Sequence, residues 1–384
     1  MRLNISGKSV LVIAGCCCLW GLLGWPVLTH GYENDFLCYY IGGTIARQGR
    51  FADLYRPAAQ MEVQEQVAPE VKQTRPYVRP PWFAVALAPL TSLSLVYAYI
   101  IWVVVMLALS LGLWAWSLIR FGERGLVLAM LFLPTSLGLF FGQDCAVMLA
   151  VLCLSYVLWR REKAFVGGMT LGIGLIKPHL LLLFPLWMIF QKRWRMLAGF
   201  ATAAAILFAT SIFLLGTSGF AGYVSLLLHG KTDLGRSPQS MLNIYSVPAN
   251  FGIESKELNA VLAAAIVGLA AFGLRRGPMW RALGIASAGS LLISPHVFGY
   301  DAALLLLPIW LVTSSAASKP SRYSALVLCV PFTFLFTLAP APLRCIPAVA
   351  VLAFFITLVA DRSEPEVVQA GKGIQLKAQS STTA

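Results

Sequence analysis

LVYAYIIWVVVMLALSLGLWAWSL, residues 95–118, runs for 24 positions without a charged side chain, and Arg120 and Arg124 follow it. At 1.5 Å per residue such a helix reaches ~36 Å, enough to cross a hydrocarbon core of about 30 Å. The rest of the chain has the same character. Hydrophobic residues make up 58% and charged residues 12% of 384 positions, and the mean hydropathy is +0.76. No soluble domain of this size hides so much apolar surface. The sequence predicts an all-α polytopic membrane protein.

Further apolar segments lie near residues 9–28, 125–141, 144–159, 164–176, 179–190, 196–216, 258–274, 280–294, 298–314, 322–339 and 344–361. Together they predict about 12 transmembrane helices in a single integral membrane domain, residues 1–361. The first follows Arg2 and Lys8 as a signal peptide would, but its Trp20, Trp25, Pro26 end is unlike a small-residue cleavage site, so a retained helix is expected. Several segments are short for a bilayer, notably the two around Lys177. Short helices that break at one level point to a site there.

Charge sets the expected orientation. With both termini cytoplasmic, the inner segments hold 18 of the 29 basic residues, among them Arg120, Arg160, Lys163, Arg193, Arg276 and Arg322, against five of the 16 acidic ones. The outer segments then carry equal numbers of each sign, as the positive-inside rule requires. The basic balance is therefore topology, and no nucleic-acid partner is expected. Cys16, Cys17 and Cys18 lie inside the first segment and the other cysteines show no pairable spacing, so neither a disulfide nor a zinc site is expected.

In this orientation His30, His179, His229 and His296 all fall on the outer side, with Lys177, Gln143, Asp144, Tyr300 and Asp301 at helix ends. Two outer loops are long. Residues 29–94 contain expected helices at Phe36–Arg47 and Pro57–Gln66 with a turn at Gly49–Tyr55, then Arg79, Pro80, Pro81 and Trp82 and an interfacial helix too brief to span. Residues 217–257, rich in glycine, form a looser cover, and the polar tail 362–384 is expected to be disordered and cytoplasmic.

Each outer cluster has two readings. Asp35 either caps the helix that begins at Phe36 or serves as a general base toward a sugar or lipid hydroxyl. Lys177 either snorkels to the interface or, with Pro178 fixing the turn and His179 beside it, holds a phosphate. His296 and Tyr300, one turn apart, form either a structural pair or part of a site, and Gln143 with Asp144 either cap a helix or face substrate. There is no Walker A loop, no GxGxxG after a strand and no HExxH. A lipid-linked donor thus fits better than a cytosolic nucleotide.

Asp35, Phe36, Tyr39 and Tyr40, followed by Gly49 and the Leu54, Tyr55 pair, resemble the first-loop signature of glycosyltransferase family 87, the polyprenol-phosphate-mannose-dependent mannosyltransferase type. Arg79, Pro80, Pro81, then Gly142, Gln143, then Lys177, Pro178, then Ser294, Pro295, His296 with Tyr300, Asp301 follow in that family's order, and the likeness covers roughly residues 10–315. The resemblance implies a C-type glycosyltransferase fold and an inverting hexosyltransferase, acting on a polyprenyl-phosphate-linked sugar donor and a lipid or glycan acceptor at the outer face of a bacterial plasma membrane, with no metal or other cofactor. It implies Asp35 as the base, Lys177, His179, His296 and Arg79 at the donor phosphate, and Tyr39, Tyr40, Gln143, Asp144, Tyr300 and Asp301 at substrate. The chain departs from the pattern at Asp144, where an apolar or small residue is usual, and at Arg79, where an aromatic is usual. A polytopic transporter or lipid flippase is the rival reading. A cavity shared by Asp35, Lys177 and His296 would favour the enzyme, and a continuous path through the membrane would favour transport.

Overall fold

The computed structural model describes residues 34–73, 75–229 and 238–363, together with residues 7, 14 and 15. The segment expected at 9–28, the Cys16–Cys18 run, His30 and the tail from residue 364 onward lie outside the described residues. Among the described residues every regular element is helical.

The first loop follows its local punctuation closely. It forms α1 (Phe36–Arg47), a 3-10 turn at Phe51–Asp53, α2 (Pro57–Val67) and α3 (Pro81–Leu87), which continues as a 3-10 turn to Ser92. Pro57 and Pro81 open their helices, where a missing N–H is harmless. There follow α4 (Leu95–Leu131), α5 (Leu133–Phe140), α6 (Cys145–Arg160), α7 (Ala164–Ile173), α8 (Phe184–Phe190) and α9 (Trp194–His229). The remainder is α10 (Ser246–Asn250), α11 (Lys256–Leu274), α12 (Met279–Ile293), α13 (Leu306–Thr313), α14 (Lys319–Leu328), α15 (Pro331–Leu335) and α16 (Ile346–Ala360).

Two of these helices are broken near points where the sequence predicts an apolar segment to end. In α4 the break is Gly122, with φ 71°, and in α9 it is Gly216, with φ 64°. Trp310 locks the first bend: its ring packs on Trp116 and Phe121, and its indole N–H donates to the Gly125 carbonyl at 2.8 Å. Beyond Gly216 the chain remains helical to His229 and packs on the first loop, with Tyr223 stacked on Tyr55. The looser cover expected over residues 217–257 is therefore ordered helix in its first third, because Tyr223 has an aromatic partner distant in sequence.

The expected 12 spans are not found among the described residues. Four helices are long and apolar enough to cross a bilayer, Leu95–Leu131, Trp194–Leu226, Lys256–Leu274 and Leu343–Ala360, or five if Lys319–Leu328 and Pro331–Leu338, bent by 59°, form one span. The other apolar runs are shorter helices: Cys145–Arg160, Ala164–Ile176, Pro178–Phe190, Met279–Ile293 and Gly299–Thr313, besides Pro81–Ser92 in the first loop. Burial explains the difference. The long helices bury only 22–39% of their most apolar windows, whereas every residue from Ala282 to Leu292 and from Gly299 to Val312 is buried. A hydropathy scan counts both kinds alike. Helices wrapped in protein are free to end at mid-depth, provided that their end groups face a cavity or polar partners.

The short helices end together. α6 runs from Asp144 to Arg160, α7 from Lys163 back toward Lys177, α8 from the Lys177 break toward Lys192 and Arg193, and α12 from the Arg276 turn toward His296. Basic turns thus occupy one end of this group, while Asp144, Lys177 and His296 occupy the other.

Candidate active site

The first loop is wedged against the ends of the short helices by aromatic packing. Phe36 meets Tyr99 and Trp102, and Tyr39 meets Phe83 and Trp102, at centroid distances of 5.5–5.8 Å. Asn34, not Asp35, serves the start of α1. Its side-chain oxygen accepts the Phe36 N–H at 3.0 Å, while its amide donates to the Phe140 carbonyl at 3.0 Å and to the Tyr99 hydroxyl at 3.4 Å. Asp35 makes no side-chain cap, so the capping reading of that residue does not hold. Its carboxylate faces the cleft instead. Oδ2 accepts from Gln143 Nε2 at 2.7 Å and from the Tyr300 hydroxyl at 3.4 Å, and Oδ1 lies 3.6 Å from Arg75 Nη1.

Gly142 makes this docking possible. It sits between α5 and α6 with φ 64°, its carbonyl accepts from Trp102 Nε1 at 2.9 Å, and a Cβ there would lie 2.6 Å from Asn34 Oδ1. Gly142→Ala should therefore destabilise the protein by about 1–3 kcal/mol, from left-handed strain together with displacement of Asn34. Thermal unfolding of the detergent-solubilised protein measures this, and an unchanged midpoint would refute the tight contact.

Gln143 is the hub behind the cleft wall. Its Oε1 accepts from the Tyr39 hydroxyl at 3.0 Å, Arg79 Nη2 at 3.0 Å and Lys177 Nζ at 3.1 Å. Three donors on the carbonyl fix the amide, since the reverse orientation would set its NH2 against all of them. Its NH2 is thereby aimed at Asp35.

Behind Gln143 lies a buried ionic quartet. Lys177 Nζ is 2.8 Å from Asp144 Oδ1 and 2.7 Å from Asp301 Oδ1, and Arg79 Nε is 3.4 Å from Asp144 Oδ2. Asp301 Oδ2 also accepts the Phe298 N–H at 2.9 Å. Asp144 precedes α6 without capping it, its oxygens being directed to the two cations. Burial opposes charge on each of these groups. At Arg79 the attraction of Asp144 and Tyr39 outweighs it and raises the guanidinium value, and at Asp144 the charges of Arg79 and Lys177 hold the carboxyl below its usual range. Arg79 and Asp144, the two departures from the family pattern, thus face each other.

Asp35, Arg75, Arg79, Gln143, Lys177, His179, His296, Tyr300 and Asp301 line one cleft. The structure therefore unites most of the residues singled out from sequence, and Asp35, Lys177 and His296 share one cavity. Three stand elsewhere. Tyr39 and Asp144 are buried behind the wall, and Tyr40 turns away to donate to the Leu93 carbonyl at 2.7 Å. Lys177 also differs from expectation. It is 1% exposed, paired with two carboxylates, and its ammonium lies 5.3 Å from the Tyr300 ring centre. A cation so neutralised has little charge to offer a phosphate.

Sequence reasoning missed Arg75 and the two glutamines that place it. Gln60 and Gln64, one turn apart on α2, are both buried. Gln60 donates to the Leu54 and Tyr77 carbonyls and accepts the Tyr77 N–H. Gln64 donates to the Val71 and Gln73 carbonyls and accepts the Arg75 N–H at 3.0 Å. Two amides at i and i+4 on a helix of low apolarity were the available signal.

Neither a curated protein nor a solved structure matches the chain. The model of glycosyltransferase family 87 matches residues 77–295, which include Arg79, Gln143, Asp144, Lys177 and His179, while the fold brings Asp35 to them from outside that stretch. That match covers more than half of the 384 residues, and the chain belongs to glycosyltransferase family 87.

Proposed function

We propose that the chain transfers a hexose, mannose, from a polyprenyl-phosphate-linked donor to a lipid or glycan acceptor, with inversion, at the outer face of a bacterial plasma membrane. The observation that carries this reading is the Asp35 carboxylate, turned into the cleft and held there by Gln143. In an inverting displacement the acceptor oxygen bonds to the anomeric carbon as its proton passes to Asp35, and the bond from that carbon to the phosphate oxygen breaks. The leaving phosphate gains one negative charge as Asp35 loses one. The total charge in the cleft is unchanged, which suits a site lined or backed by three carboxylates, Asp35, Asp144 and Asp301, and three strong cations, Arg75, Arg79 and Lys177. His179 and His296, which line the same cleft, are the proposed donors to the departing phosphate.

Outward orientation rests on the separation of the basic turns from the cleft along the short helices, read with the positive-inside rule. A transporter gains no support from a cleft whose floor is the buried quartet. Purified protein given radiolabelled polyprenyl-phosphate-mannose and a membrane lipid extract tests the reading. Transfer by the wild type and none by Asp35→Asn is expected, and equal transfer by both would sink the assignment of the base.

A further inference from the structure

Arg75 does not belong to any expected set of site residues, yet it forms an ion pair with Asp35. Its guanidinium approaches Asp35 Oδ1 at 3.6 Å through Nη1, with side-chain exposures of 26% for Arg75 and 12% for Asp35. The pair is at the cleft wall, not in the sealed quartet. Arg75 Nε is buried and has no hydrogen-bond partner among the described residues. On a side chain that lines the cleft, a guanidinium N–H without a partner is an unused part of a fork that matches an oxyanion. The backbone beneath it is fixed, because Gln64 holds Val71, Gln73 and Arg75 through main-chain bonds. The side chain can therefore change partner without moving the strap that bears it.

We propose that Arg75 exchanges Asp35 for the donor's phosphate, so that donor binding releases the base. This rests on the lipid-phosphate donor proposed above. Asp35 Oδ2 is engaged by Gln143 and Tyr300, and Oδ1 faces Arg75. An acceptor hydroxyl needs a carboxylate lone pair, and in the resting pair the guanidinium, 3.6 Å from Oδ1, lies within the shell that an incoming hydroxyl would enter. A phosphate offers Arg75 a bidentate partner and engages the idle Nε. Donor then precedes acceptor, and Asp35 is open to a hydroxyl only when a sugar is in place to receive it.

The test is binding of undecaprenyl phosphate, and of uncharged undecaprenol, to the full-length protein in detergent. Wild type, Arg75→Gln, Asp35→Asn and the double variant are compared, with thermal unfolding as a check on folding. The wild type should prefer the phosphate. Arg75→Gln should weaken phosphate binding about tenfold and leave undecaprenol unaffected. Asp35→Asn should tighten phosphate binding several-fold by removing the competitor, and that gain should vanish in the double variant. Unchanged phosphate affinity in both single variants overturns the exchange while the donor reading stands. Equal wild-type affinity for phosphate and alcohol overturns the donor reading and the exchange with it. Should Arg75→Gln fail to fold, the absence of a gain in Asp35→Asn is by itself sufficient to overturn the exchange.

Discussion

Asp35→Asn should lower the rate of sugar transfer by about a thousandfold, the range that a positioned general base supplies, or ~4 kcal/mol of activation free energy. The loss should fall on kcat rather than on the KM for donor, since the amide keeps the carboxylate's size and removes no group directed at the sugar phosphate. Folding should be unaffected. Asn34 carries the start of α1, and the aromatic contacts of Phe36 and Tyr39 carry the docking of the loop. Steady-state transfer assays and thermal unfolding on the same preparations separate the two effects. A variant that folds and transfers at the wild-type rate would show that the proton leaves by another route.

Lys177→Met should act in the opposite way, on stability before chemistry. Lys177 forms ion pairs with both Asp144 and Asp301, which are 0% and 4% exposed. Its removal leaves Asp144 with Arg79 and takes from buried Asp301 the cation it pairs with. Loss of one partner from a buried ionic group destabilises by about 3–5 kcal/mol, which denaturant or thermal unfolding in detergent will register. Adding Asp301→Asn restores one cation to one carboxylate and should recover about 1–2 kcal/mol. A Lys177→Met protein as stable as wild type would mean that the quartet does not depend on its charge balance. A phosphate-binding role, by contrast, would lower activity at unchanged stability, so the two roles are distinguished by one pair of measurements.

What the sequence disclosed was governed by distance along the chain. The bounds of α1 and α2 were legible because Asn34, Gly49 and Pro57 act within a turn or two of themselves. The break at Gly216 was legible as the end of an apolar run. Much of the lining of the cleft was legible too, since polar residues at the ends of apolar helices have little reason to be there except a cavity. Roles within the site were not. Nothing near Lys177 in sequence announces Asp144 and Asp301, so a lysine suited to a phosphate proved to be one already saturated by carboxylates. The ion pair between Arg79 and Asp144 spans 65 positions, and each residue alone was an oddity. The count of spans failed for a related reason, because an apolar run reports the absence of water and not the presence of lipid.

The bonds from Gln60 and Gln64 reach only main-chain atoms, those of Leu54 and of the strap at residues 68–80 that follows α2. Lys72 and Gln73 are exposed along that strap, where the Lys72 ammonium donates only to the nearby Pro69 carbonyl at 3.3 Å and Gln73 lines the cleft. Shape and chemical identity are thereby uncoupled: relatives could exchange the side chains at these two positions to suit a different acceptor while the backbone path stays as it is. Lineages that diversify their products would be expected to vary there and to keep both glutamines, which makes this short stretch the natural place to begin when redirecting the enzyme toward a new glycan.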